Sequence, residues 1–173
     1  MASQVGVSKP LQMDQSGLRQ AMGRFATGVT VVTTRLGEEL HGMTANAVTS
    51  VSLQPLLALV CVDKAAHLHD ALRRSGIFGL SVLAREQEPL ARRFSDDARA
   101  HDTSDFGGVG VFEVATGAPL IAGCLSYVDC RVVEAIEGGD HTIFLGEVQA
   151  LGVAEHGAPL LFYAGRYTGL AEG

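Results

Sequence analysis

Gly42-Met43-Thr44-Ala45-Asn46-Ala47-Val48-Thr49-Ser50-Val51-Ser52 is a run of small residues and hydroxyls around the chain's only asparagine, with no charge in it. On its N-terminal side, Val29-Thr30-Val31-Val32-Thr33-Thr34 is β-branched throughout, which favours a pleated strand. On its C-terminal side, Leu56 to Val62 is a continuous apolar run entered through Pro55, the pattern of a buried strand. Small side chains let a backbone approach a flat ligand, and uncharged amides and hydroxyls satisfy its polar edge. A polar connection between strands has much the same composition. The segment therefore reads as a ligand cradle or an ordinary loop, set in a β fold.

The same strand grammar continues outward. Leu18, Met22 and Phe25 recur at helical spacing, with Asp14 or Ser16 as N-cap and Gly28 as the stop. Leu36-Gly37-Glu38-Glu39 supplies a turn, after which His41 to Thr44 returns. His67 to Arg74 reads as a helix ended by Gly76, Ile77 to Leu83 as a strand, and Pro89 opens a helix holding Leu90 and Phe94. Ser95 to Gly108 carries Asp96, Asp97, Asp102 and Asp105 and reads as an exposed loop. Leu125–Ala135 and Thr142–Val153 form two strands around Glu137-Gly138-Gly139-Asp140, and Pro159 to Tyr163 is the last strand. About six strands with short helices predict a mainly β closed barrel with helical decorations, since the βαβ alternation of a doubly wound sheet is missing. Residues 1–15 read as a mobile tail and 16–170 as one domain.

Composition narrows the function. With 173 residues, 47% hydrophobic and 18% charged, the chain has the balance of a globular domain with a sizeable core. A formal net charge of −6 lacks the basic footprint of nonspecific nucleic-acid binding. No apolar run reaches membrane-span length, and Met1 to Asp14 does not resemble a secretory signal, so a cytoplasmic protein without membrane partners is expected. Cys61, Cys124 and Cys130 make neither a CxxC pair nor a metal spacing. Cys124 and Cys130 fall in a segment that reads as one strand, roughly 20 Å apart, and are expected to be free thiols.

Gly107-Gly108-Val109-Gly110 fails the spacing and context of a dinucleotide fingerprint, and P-loop and nucleophile-elbow motifs are missing. His67-Leu68-His69 has no third ligand at metal spacing, so two solvent-facing helix residues and no metal are expected.

Several motifs, in order, resemble one family. Met22-Gly23-Arg24-Phe25-Ala26-Thr27-Gly28-Val29-Thr30-Val31, followed by Gly42 to Ala47, is similar to the short-chain flavin reductases. Gly139-Asp140-His141-Thr142-Ile143-Phe144-Leu145-Gly146-Glu147-Val148 resembles that family's second signature. Pro159-Leu160-Leu161-Phe162-Tyr163 with Gly165-Arg166-Tyr167 resembles its C-terminal one. The likeness runs from about Leu18 to Tyr167.

The resemblance implies an FMN-binding split β-barrel, a homodimer, and hydride transfer from NADH or NADPH to FMN or FAD. It also implies delivery of reduced flavin to a separate monooxygenase. Met43, Thr44, Ala45, Asn46 and Ala47 would line the flavin ring, with Asn46 at its pyrimidine edge. Thr49, Ser50 and Ser52 would meet the ribityl chain or phosphate, Lys64 would neutralise the phosphate, Asp63 would belong to the cofactor site, and Phe94 would cover the flavin or sit in the core. His141 would position the nicotinamide, with Arg166 and Tyr167 at the same mouth. A same-fold protein that retains its flavin, or a noncatalytic flavin binder, would use the same residues. Where many members carry Pro-Pro, an asparagine and a phosphate-loop serine, this chain has Pro55-Leu56, Leu80-Ser81-Val82 and Ala66, leaving FMN versus FAD open.

Overall fold

A computed structural model describes residues 9–171; residues 1–8 of the expected tail lie outside the described residues. Of the remainder of that tail, Leu11 and Met13 are exposed, while Gln15 already opens helix α1 (Gln15–Met22). Asp14 caps it, its carboxylate accepting from Gly17 N–H at 2.8 Å. The helix ends at Gly23, not Gly28, which belongs to the short strand β1 (Thr27–Gly28). Its apolar stripe does not enter the core: Leu18, Met22 and Phe25 are all exposed.

The main sheet begins with β2 (Thr30–Leu36), β3 (Glu39–Ala45), β4 (Val48–Leu53) and β5 (Leu56–Asp63). Helix α2 (His67–Ser75) stops at Gly76, whose φ of 68° is the left-handed cap a glycine adopts without strain. Then come β6 (Ile77–Val82), α3 (Glu88–Phe94), the short pair β7 (Val111–Phe112) and β8 (Leu120–Ile121), and the long hairpin β9 (Ser126–Gly138) and β10 (His141–Val153). The hairpin turn is Gly139-Asp140, with φ 77° at Gly139. Strand β11 (Leu161–Tyr163) is not the last; it turns back into β12 (Arg166–Thr168), and these two pair with β1.

Seven strands form one antiparallel sheet in the order β3-β2-β6-β9-β10-β5-β4. Its two edges, β3 and β4, are consecutive in the chain, joined only by Asn46-Ala47. A two-residue link between opposite edges forces the sheet to curl on itself. Among the described residues no ladder joins β3 to β4, so the barrel is split along that seam, as the family resemblance implied, and not closed as expected from the strand count. The segment Gly42–Ser52 is accordingly not a loop: it is the end of one edge strand, a two-residue joint and the other edge strand.

Strand β2 is buried on both faces, and successive residues feed two cores. Val32 packs with Val60, Val62, Leu72, Phe78 and Phe144 in one cluster, while Val31 packs with Leu83, Ala91, Phe94, Phe106 and Ile121 in the other. The buried threonines pair their hydroxyls: Thr30 Oγ1 donates to Ala45 O at 2.7 Å and Thr34 Oγ1 to Ile77 O at 2.7 Å. Strand β5 alternates between buried and more exposed residues, because only one of its faces meets the core. Cys124 lies before β9 and does not share a strand with Cys130; all three cysteines are free thiols. No helix among the described residues is long and apolar enough to cross a membrane.

Candidate flavin site at the sheet seam

The seam opens into a cleft with two compartments that share Thr44 and Ser95. The larger, about 480 Å³, lies between Met43 and Thr44 of β3, the Asp63–Leu68 stretch leading into α2, and Phe94, Asp97, Arg99 and His101 opposite. The smaller, about 180 Å³, is bounded by Val29, Thr44, Ala45, Asn46, Phe162 and Tyr167. Together they fall in the size range of sites that enclose a cofactor.

Close approach of aromatic rings to β3 makes one wall. A Cβ added at Gly42 would meet Phe94 at 2.8 Å and Phe106 at 3.0 Å, so this glycine admits both rings. Phe94 is 1% exposed and packs on Phe106, with Arg99 stacked on its ring at 5.3 Å. Arg99 Nη2 donates to Gly42 O at 2.5 Å and Nη1 to Arg93 O at 3.4 Å, while Nε is 3.3 Å from Asp105. The Arg99–Asp105 pair is nearly buried, and burial pushes the Arg99 guanidinium down from its usual value while Asp105 opposes the shift. Residues 95–108 are largely exposed, as their aspartates suggest, but the segment is anchored at its C-terminal end. Asp105 and Phe106 are buried, and a short 3₁₀ turn runs from Thr103 to Phe106.

The opposite wall is the start of α2. Its N-cap, Ala66, provides no side-chain acceptor; His69 N–H donates to Ala66 O at 2.9 Å, and His67 and Leu68 line the cavity at a helix start without a side-chain cap. Asp63 organises the approach: its Oδ1 accepts from Ala65 N–H at 2.9 Å and its carbonyl from Ala66 N–H at 3.0 Å.

Among the residues expected from sequence, Met43, Thr44, Asp63 and Phe94 line the larger compartment, and Thr44, Ala45, Asn46 and Tyr167 the smaller. Asn46 is exposed and donates from Nδ2 to Thr27 Oγ1 at 3.2 Å. Thr44 Oγ1 donates to Ala91 O at 2.8 Å, tying the seam to α3. Ala47 lies in the joint, and Thr49, Ser50 and Ser52 run along β4 beyond the cleft lining. Ser52 Oγ there accepts from Gln54 N–H at 3.1 Å.

Lys64 is engaged with the β9–β10 hairpin: Nζ donates to Glu137 Oε2 at 2.5 Å and Gly139 O at 2.8 Å. That bond holds the Glu137 carboxyl below its usual range. His141 is the cross-strand neighbour of Asp63, one strand out from the cavity, with Nδ1 2.8 Å from Asp140 Oδ1. Hydrogen bonding to His141 holds the Asp140 carboxyl low. Arg166 is exposed on β12, while Tyr167 packs on Phe162 and carries Arg92 over its ring at 5.0 Å.

Of the two helix histidines, His67 faces the cavity and is exposed. His69 is buried, contrary to the expectation, with Nε2 2.9 Å from Thr142 Oγ1. The sequence reading missed Arg99, His101 and His67. The signal was alternation: Ser95, Asp97, Arg99 and His101, every second residue, are the ones that line the cavity.

The donor set fits a flavin. An uncharged strand edge with one amide adjoins a cavity whose other walls carry a helix start without a side-chain cap and the nearly buried, Asp105-paired Arg99. This is a split β-barrel with a cofactor-sized cleft at the seam. Residues 22–171 match the model of the flavin reductase like domain, and the chain belongs to that family. It is 46% identical over 155 residues to an NADH-dependent FAD reductase of Streptomyces globisporus, covering 89% of this chain and 85% of that one. It is 36% identical over 158 residues to HsaB, the reductase subunit of a flavin-dependent monooxygenase of Rhodococcus jostii, covering 91% and 79%. The solved structure of the NADH:FAD oxidoreductase SgcE6 of Streptomyces globisporus C-1027 superposes with a TM-score of 0.89 at 42% identity, covering 96% of this chain and all of that one.

Proposed function

We propose that this chain is an NADH-dependent flavin reductase that reduces FMN or FAD and supplies reduced flavin to a separate monooxygenase. The observation that carries the reading is the seam. The edges of the barrel part at Thr44–Ala47, and the gap adjoins a helix start without a side-chain cap in a chain that belongs to the flavin reductase like family. When bound, the flavin accepts a hydride from the nicotinamide and passes electrons on; the protein supplies position and electrostatics.

In this reading Met43 to Ala47 hold the ring against the strand edge, Asn46 offers its amide to the polar edge, and Phe94 covers the apolar side. The start of α2, with Asp63 organising its turn, receives the phosphate. Lys64 neutralises it from the flank by exchanging Glu137 for the ligand, and Thr49, Ser50 and Ser52 serve the ribityl side. His141, oriented by Asp140, positions the nicotinamide, with Arg166 and Tyr167 at that mouth. NADH is favoured over NADPH because no basic cluster among the described residues marks a 2′-phosphate site. The names of similar proteins, an NADH-dependent FAD reductase and an NADH-dependent FMN reductase, support the cofactor pair. Exposed Leu18 and Met22 on α1 and Phe25 just beyond it, with Leu53 on β4 and Val153 on β10, support a homodimer.

The test is NADH oxidation with and without added flavin. The reading expects turnover that saturates with free FMN or FAD. Equal rates without added flavin would identify a protein that retains its flavin, and no oxidation would identify a noncatalytic binder.

A further inference from the structure

Residues 95–106 have the build of a hinged strap. Phe94 and Phe106 bracket it, buried in one core cluster with ring centroids 5.1 Å apart. Ends held side by side beneath an exposed middle are the anatomy of a compact surface loop. Within the strap the backbone bonds are local: Arg99 N–H to Asp96 O at 3.4 Å, and Asp105 N–H to Asp102 O at 3.0 Å. Side chains hold it down. Thr103 Oγ1 accepts from Leu40 N–H at 2.9 Å, and Arg99 reaches Gly42 O.

His101 makes the contact across the cavity mouth. It sits at φ 58°, a left-handed conformation that residues with a Cβ disfavour. From there its ring stacks on His67 at the start of α2, with centroids 4.0 Å apart and planes 19° from parallel. Its Nδ1 accepts from Arg99 Nε at 3.1 Å, and its Nε2 lies 2.9 Å from Asp97 O. A disfavoured backbone persists where its surroundings over-determine it, and such residues cluster at clamps and switches.

We infer that residues 95–106 are a gate over the larger compartment, hinged at Phe94–Phe106 and latched by the His67–His101 stack. Arg99 and Asp105 both belong to the strap, so their ion pair travels with it. The links that break on opening are the imidazole stack, Thr103 to Leu40 N–H, Arg93 to Ser104 O, and those of Arg99 to Gly42 O, Arg93 O and the Phe94 ring. Opening also frees His101 from its left-handed conformation. That the gate admits flavin rests on the function proposed above; the latch itself does not.

Hydrogen exchange of the full-length protein without flavin tests the latch. His67→Ala removes one ring, and His101→Asn removes the other while keeping a residue that tolerates the left-handed conformation. Each variant is expected to raise exchange of the strap amides by about threefold or more, with the double variant adding nothing further. Stopped-flow mixing with FMN is then expected to show faster entry and faster release in both. Unchanged strap exchange in either single variant, multiplicative effects in the double, or faster exchange with unchanged FMN entry would each overturn the gate. Failure of the wild-type protein to bind FMN contradicts the flavin reading, and exchange alone then decides the latch.

Discussion

Gly42 lies where an added methyl would meet two buried phenylalanine rings at 2.8 and 3.0 Å. Both rings belong to the packed cluster around β2. Gly42→Ala is therefore expected to destabilise the protein by about 1–3 kcal/mol, read as a lowered denaturation midpoint. Unchanged stability would mean that Phe94 is not fixed against β3. Asn46 and His141 carry separate expectations. Asn46→Ala should weaken flavin binding several-fold by removing the amide at the strand edge. His141→Ala should raise the KM for NADH with little change in flavin affinity, because its place is one strand out from the cavity. Equal effects of both variants on both ligands would remove the division of roles. At this scale the cleft lining at Met43–Asn46, with Asp63, Phe94 and Tyr167, was legible, while the Gly139–His141 motif lies outside that lining. Arg99 and His101 were not, because aspartates dominate their segment and the burial of Arg99 depends on a partner, Asp105, within an irregular loop.

Elements show where local pattern stops being sufficient. Helix α2 and its Gly76 cap follow directly from periodicity and from the need for a left-handed residue. Helix α1 has an equally clear stripe but presents it outward, since periodicity identifies an apolar face without saying what covers it. The β9–β10 hairpin is fixed to α2's entry by Lys64, bonded to Glu137 and Gly139 O. Glu137 titrates below its usual range, so the clamp's contribution is present at neutral and mildly acidic pH. It is lost only as pH falls through that lowered value. Lys64→Gln separates clamp from ligand contact: the proposed function expects FMN binding to weaken more than riboflavin binding, since only FMN carries the phosphate. Equal weakening of both would leave Lys64 a purely structural clamp.

For the whole molecule, strand count and composition were enough for a mainly β fold, but not for its closure. What splits the barrel is a long-range relation: the edge strands β3 and β4 are consecutive in the chain yet separated by the full width of the sheet. No local signal carries that, and it turns an apparent loop into a seam. The central claim is that flavin binds at this seam and against the start of α2. Hydrogen exchange across the full chain, with and without FMN, tests it most directly. Protection should concentrate in residues 43–50 and 64–69, with the strap 95–106 slowed alongside. Protection centred elsewhere, such as the separate cavity beside Cys124 and Tyr127, or none at saturating FMN, would contradict it.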